Sequence, residues 1–173
     1  KVRDFLSWGD FMIFLSDNHN KKRFQQIFAH YGGGFDWVSF IESQLSNVDQ
    51  CKIIASGSQV IYIELYHFPN MIMLCDSVLT LLASLDHLCD VFKTRTRKVK
   101  GFDIEKVEEI FNDDPKLYYE YLHADVKSLY QVMNEFMELL QIKKFPVSAA
   151  SLAMTLFRER YLDDGGLRAL LKD

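Results

Sequence analysis

The chain has 173 residues, enough for one domain with a real core and part of a second. Its 49% hydrophobic and 25% charged residues are an ordinary globular balance, and a net charge of -4 excludes a globally basic nucleic-acid binder while leaving room for a local basic groove. Cys51, Cys75 and Cys89 form no Cys-x-x-Cys pair, so neither a zinc site nor a disulfide framework is supported, and reduced thiols in an intracellular setting are expected.

"SWGDFMIFLSDNHN" reads as a short amphipathic helix with Asp10 near its start and a polar break after it. "RFQQIFAH" is a strand leading into the triplet Gly32-Gly33-Gly34, and "FDWVSFIESQL" is a helix with Phe35, Val38, Ile41 and Leu45 at helical spacing. Asp36 therefore falls in a first turn, where it either complements the dipole or faces a ligand beyond the glycines. "CKIIASGSQVIYIELY" predicts a hairpin through Ser56-Gly57-Ser58, and "NMIMLCDS" a third strand ending at Asp76-Ser77. "SLDHLCDVF" is helical, with Ser84 as its cap. "KTRTRKVKG" carries five basic residues in the eight positions from Lys93 to Lys100 and reads as an exposed arm.

"DIEKVEEIF" is a short helix ended by Asn112-Asp113-Asp114-Pro115. The longest element, "KLYYEYLHADVKSLYQVMNEFMELLQ", has an apolar stripe through Leu117, Tyr121, Leu122, Leu129 and Met133. Pro146 breaks the chain before a final helix, "SAASLAMTLFRERYL". No apolar run approaches the roughly 18 residues of a membrane span, the longest being interrupted by Glu64 and His67, so no membrane partner is expected. The elements predict an α/β or α+β layer structure.

Tyr121 and Asp125 stand four apart and share a helix face, where a phenol and a carboxylate could orient water beside a metal; equally, they could be a core aromatic and a solvated charge. Asp76-Ser77 could serve a ligand or cap a turn. In combination these pieces resemble the proofreading 3′–5′ exonuclease domain of protein-primed family-B DNA polymerases. "AHYGGGFDWVSF" is similar to the second exonuclease motif of that family. "MIMLCDSVLTLLASLDHLCDVF" resembles its Asp-Ser strand and following helix, and "YLHADVKSLYQV" its third motif. "FPVSAASLAMTLFRERYL" resembles the segment leading toward the polymerase domain. The resemblance covers most of residues 10 to 162.

The resemblance implies a ribonuclease-H-like mixed sheet flanked by helices, with a partial exonuclease domain over 1–142 and a helical segment over 143–173. It implies that Asp36 and Asp125 bind Mg2+ or Mn2+, that Tyr121 positions the attacking water, and that Lys100 is the catalytic lysine, with Lys98 nearly as good a match. Tyr31, Gly33, Phe35, Asp76, Ser77 and Val78 fall where the family contacts single-stranded DNA or shapes its pocket. Two such cations activate water and stabilise the attacking and leaving oxygens of a phosphodiester, and hard oxygen ligands suit them. Implied partners are single-stranded and primer-template DNA, with deoxynucleotides and a terminal priming protein for the full-length polymerase.

The pattern also has gaps. No Asp-x-Glu precedes Asp36, the family's asparagine is Tyr31, and no polymerase metal motif follows. We therefore expect a piece of a longer DNA-directed DNA polymerase, lacking the first strand of its sheet and inactive or very weak alone. A viral replication compartment, the cytoplasm and the mitochondrion fit equally. The alternatives are a catalytically dead module that binds single-stranded DNA, and an unrelated α/β interaction domain.

Overall fold

A computed structural model describes residues 4–18, 25–44, 51–66, 71–97, 99 and 102–161. The fold is α/β, a mixed, open four-stranded sheet with seven α-helices among the described residues. The chain divides into two compact units, Ser7–Leu82 with Pro146–Asp173, and Lys1–Leu6 with Ala83–Phe145. The sheet lies wholly in the first. No described helix is long and apolar enough to cross a membrane.

In the sheet unit, α1 (Trp8–Asn18) precedes β1 (Gln25–Ala29), a 3₁₀ turn over Gly32–Gly34 and α2 (Asp36–Gln44). The hairpin β2 (Cys51–Ser56) and β3 (Gln59–Leu65) follows, then β4 (Ile72–Asp76), α3 (Val78–Leu81) and, after the other unit, α7 (Ala149–Tyr161). The strand order is β1-β4-β3-β2. The β1–β4 pair is parallel, with Ala29 opposite Asp76, while β4–β3 and β3–β2 are antiparallel. Gly57 closes the hairpin in the left-handed region, φ 59°, which glycine enters at little cost.

Because β3 and β4 are the two inner strands, they carry the most apolar sequence. Ile63, Ile72 and Leu74 are fully buried and join Leu15, Trp37, Phe40, Val60 and Leu65 in one core. Trp37 fastens α2 to the sheet through Nε1, which donates to the Cys75 carbonyl at 3.0 Å. Trp8 packs edge-on against Phe11 and Phe40 and donates to the Ser39 hydroxyl at 3.1 Å. Cys51, Cys75 and Cys89 are free thiols, the last two buried.

The other unit is helical: α4 (Leu85–Val91), a 3₁₀ turn over Ile104–Lys106, α5 (Val107–Asp113) and α6 (Pro115–Leu140). Ser84 caps α4 by accepting from the His87 N–H at 3.3 Å, as its sequence predicts. Asp114, expected only as part of a helix stop, also starts α6, accepting from the Leu117 N–H at 3.0 Å with Pro115 in the first turn. The expected apolar stripe of α6 is displaced in one respect. Its fully enclosed residues are Ala124, Ser128 and Val132, while Leu117, Tyr121, Leu122, Leu129 and Met133 flank them half-buried. Ala124 and Ser128 are small enough to let the helix approach its neighbours closely, and hydrophobic periodicity does not register Ser128.

Candidate functional site

The carboxyl ends of the parallel pair β1 and β4 carry the densest group of sequence-predicted residues. Beyond Ala29 the chain must turn away from the sheet at once, and an internal carboxylate makes the turn possible. Asp76, fully buried at the end of β4, accepts at Oδ1 from the Tyr31 and Val78 N–H groups, both at 3.0 Å, and at Oδ2 from the Gly33 N–H at 2.9 Å. Bonds from N–H groups to a carboxylate are stronger than neutral ones, and here they compensate a buried charge. Ser77, also buried, donates from N and Oγ to the Ala29 carbonyl at 2.9 and 3.0 Å. With that hydroxyl proton committed, His30 Nδ1, 3.0 Å from Ser77 Oγ, is the donor in its contact.

Two of the three glycines have an internal reason. A Cβ on Gly33 would lie 2.1 Å from the Val60 carbonyl oxygen, and one on Gly32 would lie 2.5 Å from the Ala29 Cβ and 2.9 Å from Trp37 Nε1. Gly34 has nothing within 4 Å of a built Cβ. The close approach that the triplet predicts is thus, at Gly32 and Gly33, an approach to the protein's own sheet; Gly34 alone borders open space. Tyr31 sits in the left-handed region at φ 64°, where asparagine is easy and a bulky residue costly. Its bond to Asp76 and its edge-to-face contact with His30, centroids 5.0 Å apart, hold it there.

The six residues expected at DNA consequently separate. Asp76, Ser77 and Gly33 are buried and spend their polar atoms on the loop, Val78 is half-buried, and Tyr31 and Phe35 face solvent at 47% and 74% exposure. Asp36 follows directly, exposed in the first turn of α2. Its carboxyl titrates above the usual 3.8: desolvation pushes it up most, its own backbone N–H opposes this, and the negative Asp76 adds a smaller upward push. Water still reaches the residue and screens these effects.

Asp36 fits a divalent cation as one hard oxygen ligand, because a cation would relieve the repulsion from Asp76. Asp76 fits poorly as a second, since it is fully buried and three of its acceptor positions are taken by backbone N–H groups. Among the described residues there is no cluster of three or more His, Cys, Asp or Glu able to hold a metal.

Tyr121 and Asp125 belong to the helical unit, both half-buried on α6. Phe102 stacks on the Tyr121 ring, centroids 3.8 Å apart and planes 7° from parallel, a contact that sequence spacing gives no means to find. Lys100 and Lys98 lie outside the described residues. His30 was the other residue missed, although it precedes Tyr31 within the quoted motif. No protein-family model, curated protein or solved structure matches the chain.

Proposed function

We propose that the chain is the proofreading region of a protein-primed family-B DNA polymerase, a ribonuclease-H-like 3′–5′ exonuclease module that handles the 3′ end of single-stranded DNA. The observation that carries this reading is the carboxyl edge of β1 and β4. There a buried Asp76 folds a glycine loop so that Tyr31, Phe35 and Asp36 face solvent together at the end of two parallel strands. Open α/β sheets bind ligands outside the carboxyl ends of their parallel strands. Exposed aromatics suit unstacked bases, and a carboxylate suits the cation that accompanies a phosphodiester.

In this reading Tyr31 and Phe35 contact bases, and Asp36 and Asp125 are each a ligand to Mg2+ or Mn2+. Tyr121 orients water for attack on phosphorus, where the new P–O bond forms as the P–O3′ bond breaks and the departing oxygen takes a proton. The cations, when bound, supply charge for the attacking and leaving oxygens. Asp76 and Ser77 act through the loop they hold rather than on the strand. Without an Asp-x-Glu ahead of Asp36, the ligand set of this chain is half of the family's, which favours binding with little or no cleavage. A catalytically dead single-strand binder is therefore the second reading.

Crystals soaked in Mn2+ test the metal sites directly. Anomalous density on the carboxylates of Asp36 and Asp125 is the expected result, and density on neither would overturn the metal reading. A 5′-labelled single strand incubated with the chain and Mn2+ separates the two readings. Shortening from the 3′ end that is lost in Asp36→Asn supports the exonuclease, and binding without shortening supports the dead module.

A further inference from the structure

The segment "KTRTR" alternates cations with threonines, and the helical unit treats the two kinds of residue differently. Thr96 is bonded to α6, and Thr94 is bonded to Thr96. Thr94 is buried, and its hydroxyl donates to the Thr96 carbonyl at 2.8 Å. The fully buried Ser128 hydroxyl donates to the same carbonyl at 3.2 Å. Gln131 grips Thr96 twice: its Oε1 accepts from the Thr96 N–H at 3.1 Å, and its Nε2 donates to Thr96 Oγ1 at 3.0 Å. Lys93 enters the turn in the left-handed region, φ 52°. A short polar loop thus has its backbone clasped to a long helix.

The clasp leaves Lys93, Arg95 and Arg97 exposed. Lys127, one turn ahead of Gln131 on α6, is exposed too and shares its helix face. Acids bound the group on two sides: Asp90 pairs with Arg97 at 2.5 Å, and Glu135 lies one turn beyond Gln131. These bonds satisfy the backbone N–H and carbonyl of Thr96 and fix the turn, and cations on a fixed backbone lose less freedom when they bind.

We propose that the turn Lys93–Arg97 is a built phosphate-contact surface for single-stranded DNA, with Lys93, Arg95, Arg97 and Lys127 as its cations. Ser128 and Gln131 are the positioning residues, and Asp90 is an internal competitor for Arg97. The surface needs no metal. It rests on the proposed function only for the choice of DNA as the ligand.

The test is fluorescence anisotropy of a labelled oligothymidylate with the whole chain, in a chelator, over a series of sodium chloride concentrations. Lys93→Ala and Arg95→Ala should each weaken binding several-fold at low salt. Each should also reduce the slope of log affinity against log salt by about 0.7, the value for one lost phosphate contact on a single strand. Gln131→Leu, which changes no charge, should weaken binding as well. Asp90→Asn should tighten it by freeing Arg97, whereas Glu159→Gln on α7, an equal change in net charge, should not. Unchanged affinity in Lys93→Ala and Arg95→Ala, or equal tightening by Asp90→Asn and Glu159→Gln, would overturn the surface and leave the proposed function standing. No binding by the unaltered chain in the chelator would remove DNA as the ligand of this surface, and repeating the titration with Mn2+ would then decide whether the proposed function falls as well.

Discussion

Alanine at Gly33 and at Gly34 should have opposite consequences although the positions are adjacent. At Gly33 the new Cβ would sit 2.1 Å from the Val60 carbonyl oxygen, 3.0 Å from Asp76 Oδ2 and 3.1 Å from Gln59 Cγ. The first contact is with backbone of β3, which cannot rotate aside, so either the strand or the loop must move. Overpacking of this kind costs about 1–3 kcal/mol. Moving the loop also lengthens the bond from the Gly33 N–H to Asp76 and leaves a buried carboxylate under-solvated, a further loss of about 1.5–3 kcal/mol. Gly33→Ala should therefore destabilise by about 4 kcal/mol, a fall in Tm of about 8–16 °C for a chain of this size.

Gly34 meets nothing within 4 Å, and its φ is not in the left-handed region, so Gly34→Ala should be neutral or stabilising by up to about 1 kcal/mol through the unfolded chain. Urea unfolding followed by circular dichroism measures both, with the midpoint shifting at constant slope. Equal effects at the two positions would refute the close approach. If Gly34 borders the DNA strand, its alanine variant should keep its stability and lose oligonucleotide affinity.

Asp76→Asn keeps one acceptor oxygen but turns an N–H₂ donor toward one of the three backbone N–H groups, and should cost about 2–3 kcal/mol. Faster amide exchange at Gly33 than in the unaltered chain locates the damage, and a change below about 0.5 kcal/mol would refute the latch. Asp36 binds its proton more tightly in the folded chain than the ordinary 3.8, so its ionisation opposes folding as pH rises from below 3.8 through the folded value. Asp36→Asn should therefore gain in Tm over the unaltered chain between acid and neutral pH, and Mn2+ should raise the Tm of the unaltered chain more than that of the variant. A variant whose Tm difference does not change with pH would sink this account.

Much of the local structure was legible in the sequence. The hairpin at Ser56-Gly57-Ser58, the helix beginning at Asp36, the strand ending at Asp76 and the Ser84 cap follow from turn chemistry, period and capping, all of which act over a few residues. The α/β class follows from their order. What the loop polar groups do was not legible. "GGG" and "DS" lie more than forty positions apart, and only the parallel pairing that sets Ala29 beside Asp76 turns them into one structure, with a buried carboxylate inside and Asp36 outside. In the same way "KTRTR" reads as a uniformly solvated arm until Ser128 and Gln131 take hold of Thr96. Local pattern determined which elements form and where they end. Long-range hydrogen bonding decided which polar residues are spent on the fold and which remain for a ligand, because a buried polar group must find its partner wherever tertiary packing puts one.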